Sequence, residues 1–204
     1  TQENQHDKEY IADYLSQIPS SPPAELFKEI SKLMLILKVH ALSQGFSGIA
    51  PEVLDRIIFL IENDIIPVVP EQGSVGASGD LAPLSHLFLP LIGEGKVFYN
   101  NKITNTSNVY KKLKIQPLEL GPKAGLALIN GTQFIAAHAV MVVEKLHTCL
   151  AHADIIAALM IEGLLGSKMP FHSSLHQTRP HKGNMHVAQR IEELLNCSKI
   201  VEAH

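Results

Sequence analysis

The chain has 204 residues, 46% of them hydrophobic, and a net charge of −3 at pH 7. It can therefore bury a sizeable core, and its charge gives no electrostatic case for nucleic acid. Its two cysteines, Cys149 and Cys197, are too few for a disulfide scaffold. With no opening secretory signal and no uninterrupted apolar run of membrane-span length, a cytoplasmic protein without a membrane partner is expected.

Residues 1–22 form a polar N-terminal segment, in which Tyr10, Ile11, Tyr14, Leu15 and Ile18 fall at the spacing of a short amphipathic helix. From Pro23 onward the pattern strengthens. Leu26, Phe27, Ile30, Leu33, Met34, Leu37 and Ala41 make an apolar stripe, and Gly45 is a natural stop. A second helix is predicted from Pro51 to near Asn63, with Val53, Leu54, Ile57, Ile58 and Ile61 inward. Pro67-Val68-Val69-Pro70 then runs extended.

The stretch Gly73-Ser74-Val75-Gly76-Ala77-Ser78-Gly79-Asp80 follows, with glycines every third residue before an apolar run, Leu81-Ala82-Pro83-Leu84-Ser85-His86. Asp80 reads as an N-cap and Pro83 as a pre-set first turn. A phosphate cradle fits poorly, because the spacing is not G-x-G-x-x-G and no Lys follows. Ala77-Ser78-Gly79 allows other chemistry. In a tightly bent loop the Gly79 amide nitrogen can attack the Ala77 carbonyl carbon, since Gly has no Cβ to obstruct it. Loss of water on cyclisation, and of a second water from Ser78, leaves a ring with an exposed methylidene carbon. That is an electrophile, which no unmodified side chain provides.

Asp80 to Ile92 is predicted to be a buried helix, broken by Gly93-Glu94-Gly95. Its His86 reads equally well as a hydrogen-bonded core residue or a functional one. Lys96–Tyr99 and Ile103 flank Asn100-Asn101 as a short surface β-hairpin, and Thr104 to Leu113 is a short helix. In Gly125-Leu126-Ala127-Leu128-Ile129-Asn130-Gly131-Thr132-Gln133, Asn-Gly interrupts an apolar helical run. Asn130 serves there either as a turn residue or as a polar group at a site. Gln133 to Leu165 is apolar on most sides, which predicts a helix central to a bundle or shared between subunits. The last helix, Val187 to Leu195, turns Ile191, Leu194 and Leu195 inward.

Among eleven histidines, His172, His176, His181 and His186 cluster in sequence. Pro170 and Pro180 bracket part of that segment, and no H-E-x-x-H or Cys-pair pattern accompanies it, so no metal site is expected. Asn105, Asn130 and Asn196 open N-x-Ser/Thr triplets that read as accidental. Parallel-sheet signals are absent. The expected class is mainly α, an elongated helical bundle with one hairpin.

The string from Gly73 to His86, Asn130-Gly131-Thr132-Gln133, and Arg179-Pro180-His181-Lys182-Gly183-Asn184 together resemble the aromatic amino acid ammonia-lyases, the family of the histidine and phenylalanine enzymes. The resemblance runs from about Pro23 to His204, so residues 23–204 are expected to be a partial, lyase-like helical domain. Asn-Gly-Thr-Gln and Ala153–Leu159 look most like the histidine enzyme; phenylalanine and tyrosine lyases are the alternatives. The resemblance implies that Ala77, Ser78 and Gly79 become 4-methylidene-imidazol-5-one, with no external cofactor. It also implies that Asp80 supports the cyclised loop and that Asn130 hydrogen-bonds near ring and substrate. The implied reaction is elimination of ammonia from an aromatic L-amino acid, L-histidine giving trans-urocanate, in a homotetramer.

There are departures. Asn184 stands where the family usually has Gln, and residues 1–22 do not match the family's Ser-His-x-x-Gly-x-Gly region. Family members are more than twice this length, with a tyrosine loop before this stretch and further site residues beyond it. The chain looks like the middle of a lyase. A catalytically silent helical assembly protein is the competing expectation; a nucleotide-binding loop would need a basic partner beside residues 73–79, and none is adjacent.

Overall fold

The computed structural model describes residues 27–73 and 80–203. The helix expected within residues 1–22 therefore lies outside the described residues, as do Ala77, Ser78 and Gly79. The chain divides into two compact units whose boundary falls between Met141 and Val142.

In the first unit, α1 (Lys28–Ser43) turns Ile30, Met34, Leu35 and Leu42 inward, a face shifted from the predicted stripe, whose Phe27 and Ala41 are exposed. α2 (Pro51–Glu62) starts at its proline and buries Val53, Ile57 and Leu60. Both helices match their predicted bounds closely. The strand β1 (Ile66–Pro67) follows, then α3 (Leu81–Phe88), which tightens into a 3-10 turn at Leu89–Ile92. Six of the eight α3 residues are buried, including Leu84, Leu87 and Phe88, each worth about 1.5–3 kcal/mol of transfer free energy.

β2 (Lys96–Tyr99) and β3 (Lys102–Asn105) form the expected hairpin, with both turn residues at positive φ, Asn100 at 49° and Asn101 at 58°. That is the pairing two-residue hairpins favour, because its twist matches the strands. The sheet gains a third member. β1 pairs antiparallel to β2 with Ile66 opposite Phe98 and Pro67 opposite Val97. Val97 points into the core, whereas Lys96 and Lys102 face solvent. α4 (Thr106–Leu113) closes on a left-handed Lys114, and α5 (Ala124–Ile129) buries Ala124, Leu128 and Ile129. The first turns of α6 (Gln133–Gly163) complete this unit, with Ala137 fully buried.

The second unit packs Ala158 of α6 with Ile191 and Leu195 of the α8 region (α8, Lys182–Leu194) and Val201 of α9 (Lys199–Glu202). A 3-10 turn at Met169–Phe171 and the short α7 (Ser173–Gln177) lie between. Arg190 Nε sits 3.0 Å from an Asp154 carboxylate oxygen, and the Ser198 hydroxyl donates to Glu162.

The long helix differs from the expectation of a bundle centre. Val142, Val143, Leu146, Leu150, Ile156, Leu159 and Met160 are exposed in the single chain. By average hydropathy the helical run 124–163 also reaches membrane-span length, even though charged residues such as Glu144 and Lys145 interrupt it. Composition alone does not distinguish such a helix from the core helix of a bundle.

Candidate active site

The site is organised by Asp80, which is fully buried. It occupies the position before α3, where its carbonyl accepts the Leu84 amide at 3.0 Å, but its carboxylate does not cap that helix. The Asp80 Oδ2 instead accepts from the Ile135 amide at 3.3 Å, in the first turn of α6. Helix starts leave four amides without an internal partner and carry partial positive charge, so a carboxylate there is favoured on both counts. Asp80 is thus an N-cap for a helix remote in sequence, not for its own. Its amide donates in turn to the Gly131 carbonyl at 3.0 Å. These bonds bring the 73–80 string and the Asn-Gly-Thr motif together.

The connection from α5 to α6 is gripped from a second direction. Asn130 ends α5 in extended conformation, and its carbonyl accepts from Lys38 Nζ at 2.8 Å. Lys38 lies on the inward face of α1 and is only 2% exposed. Burial pushes its pKa down to about 8, because the charged ammonium has lost its water. A cation at the carbonyl end of α5 and an anion at the amide end of α6 each complement the backbone dipoles they face. Asn130 itself is exposed, so its backbone is tethered while its carboxamide is accessible.

The described residues on either side of positions 74–79 approach each other. A Cβ added to Gly73, whose φ is +133°, would lie 3.6 Å from the Ala82 Cβ. Gly73 and Ala82, on the two sides of residues 74–79, therefore lie close together. Gly131 is constrained by its φ of +156°, which L side chains rarely adopt, and the atom nearest an added Cβ, Gln133 Oε1, ends a flexible side chain. That oxygen is buried and has no hydrogen-bond partner among the described residues. His86 Nε2 is likewise buried and unpartnered, and desolvation holds its imidazole below the usual pKa.

These observations test whether a ring made from residues 77–79 fits here. Adjacent loop ends, a buried Asp80 and the accessible Asn130 carboxamide, which can donate, suit a ring whose carbonyl and imine nitrogen only accept hydrogen bonds. The residues fit the group. Among the described residues no cluster of His, Cys, Asp and Glu is arranged for a metal ion. His172 instead caps α7, its Nδ1 accepting from the Ser174 amide, and His176 Nε2 lies 3.0 Å from the Pro170 carbonyl oxygen.

Sequence reasoning missed Lys38. The available signal was a lysine four residues after Met34 and four before Leu42, inside an apolar face. Gln133 was read only as part of a motif.

A profile of the aromatic amino acid lyases matches residues 8–204, reaching further back than Pro23. The histidine ammonia-lyase of Shouchella clausii is 46% identical over 172 residues, covering 84% of this chain and 34% of that protein. Among solved structures, histidine ammonia-lyase from Trypanosoma cruzi superposes with a TM-score of 0.84 at 34% identity, over 93% of this chain and 36% of that one. Phenylalanine ammonia-lyase from Rhodosporidium toruloides gives a TM-score of 0.86 at 28% identity, over 95% and 32% respectively. The chain spans about a third of the length of the curated relatives it matches. With its profile match, mainly helical fold and shared motifs, this chain belongs to the aromatic amino acid lyase family.

Proposed function

We propose that this chain is the ring-bearing segment of an ammonia-lyase that converts L-histidine to trans-urocanate. The observation that carries the reading is the bonding of buried Asp80 to Gly131 and Ile135, which joins the Ala-Ser-Gly loop to the Asn-Gly-Thr turn. Histidine is favoured as substrate because curated relatives at 41–46% identity are histidine ammonia-lyases.

The β-hydrogen of an amino acid is barely acidic, so a base alone removes it too slowly. A 4-methylidene-imidazol-5-one supplies the electrophilic carbon that the elimination needs. Its sources are Ala77, Ser78 and Gly79: the Gly79 nitrogen bonds to the Ala77 carbonyl carbon, one water leaves there, and Ser78 loses its hydroxyl and α-hydrogen as a second. Asp80 holds the C-terminal end of this loop still. Asn130, tethered through its backbone, presents its carboxamide to hydrogen-bond ring and substrate, and fixed donors of this kind stabilise developing charge.

The family assembly is a homotetramer whose sites draw on several subunits, and the exposed apolar flank of α6 from Val142 to Met160 is the surface suited to it. The cytosol is the compartment proposed.

The test is intact mass with peptide mapping across residues 73–80. Loss of two waters there supports a ring-bearing lyase. An unmodified peptide from the folded chain sinks the reading and favours a silent assembly protein.

A further inference from the structure

Two consecutive carbonyls of the α5–α6 turn are held: Asn130 by the Lys38 ammonium and Gly131 by the Asp80 amide. Gripping both fixes the peptide planes on either side of Gly131. We infer that Lys38 is a positioning residue for the elimination, holding the Asn130–Thr132 turn in register with Asp80 and the loop that bears Ala77-Ser78-Gly79. This rests on the function proposed above.

Three features support the assignment. First, Lys38 shares its helix face with buried Met34, Leu35 and Leu42, where an apolar side chain would pack without losing hydration. A buried ammonium there is expensive, and no carboxylate lies within ion-pair distance of it among the described residues. Second, its acceptor is not an arbitrary oxygen. It is the carbonyl of the residue whose carboxamide is left accessible, so the tether orients Asn130 without occupying its side chain. Third, the adjoining peptide carries the bond to Asp80, so movement at Asn130 is passed directly to the loop's anchor. The pKa depression to about 8 agrees with a cation kept in an unfavourable place for a geometric reason.

The test compares the chain with its Lys38→Met and Lys38→Arg variants. Hydrogen exchange at the Asp80 and Ile135 amides reads the clamp, and peptide mass across 73–80 reads ring formation. In Lys38→Met both amides should exchange about tenfold faster or more, while the Ile65 and Thr106 amides, bonded to Leu60 and Gly95, keep wild-type rates. Two-water loss should slow by a similar factor, and Lys38→Arg should recover both readouts. Wild-type exchange at Asp80 and Ile135 in Lys38→Met would overturn the inference. So would faster exchange spread evenly over Ile65 and Thr106, which would make Lys38 a general stabiliser. If the parent chain never loses water, the elimination reading fails, and the exchange data still decide the clamp.

Discussion

Replacing Lys38 with Met should make the stability difference from the parent chain depend steeply on pH. The folded-state pKa of Lys38 is lowered from the ordinary 10.5 to about 8 by burial alone. A gap of that size corresponds to about 3 kcal/mol. The sign follows from proton binding. Between pH 8 and 10.5 the unfolded chain keeps a proton that the folded chain has released, so stability rises with pH through that window. Below pH 8 the desolvation penalty is present in full. Methionine carries no such penalty but gives up the bond to the Asn130 carbonyl, a loss of about 1–3 kcal/mol. Near pH 7 these two effects roughly cancel, and the two proteins should have similar stability. Urea unfolding of both at pH 7 and pH 10.5 is the assay, and subtracting the variant removes the titration of every other group. The parent chain should gain about 3 kcal/mol over the variant across that interval. A difference that stays flat would mean that the ammonium is hydrated in solution, and the account of Lys38 as a buried cation would fall.

Ser78→Ala should leave residues 73–80 at their unmodified mass and abolish elimination in a full-length chain; wild-type turnover in that variant would refute the assignment of the electrophile. Asp80→Ala removes the acceptor for the Ile135 amide and should destabilise by about 1 kcal/mol, measured by denaturant midpoint, with slower water loss in the loop. Gly131→Ala asks a side-chain-bearing residue to adopt φ +156° and should lose about 1–3 kcal/mol in thermal unfolding, a loss that adding Gln133→Ala, which removes only a flexible neighbour, should not relieve. Leu150→Glu places a charge on the exposed flank of α6 and should shift sedimentation toward smaller species without lowering helicity.

Much of this fold is legible in local patterns. Period-3.6 stripes mark α1 and α2, and Asn100-Asn101 marks the hairpin, because one helix face or one turn type is decided by neighbouring residues. β1 is not legible, since a two-residue strand has no period and exists only through its pairing with β2. Asp80 shows the same limit within the site. Its sequence context, followed by Leu81 and Pro83, predicts a cap for the helix it opens, yet its carboxylate is drawn to an amide of a different helix. Lys38 was hidden for a related reason, because the carbonyl it serves belongs to a turn far along the chain. Ala77, Ser78 and Gly79 were legible only as a motif.

The spacing of these contacts along the chain also orders events during synthesis. Asp80 emerges from the ribosome 55 residues ahead of Ile135, and Lys38 emerges 92 residues ahead of Asn130. A nascent chain therefore carries Ala-Ser-Gly before the α5–α6 turn exists to hold Asp80 from across the fold. If cyclisation waits for that grip, a reactive carbon is never displayed on an unfinished polypeptide, where cellular thiols and amines would consume it. The long-range pairing would then act as a safety catch, arming the chemistry only in molecules that have already reached their fold.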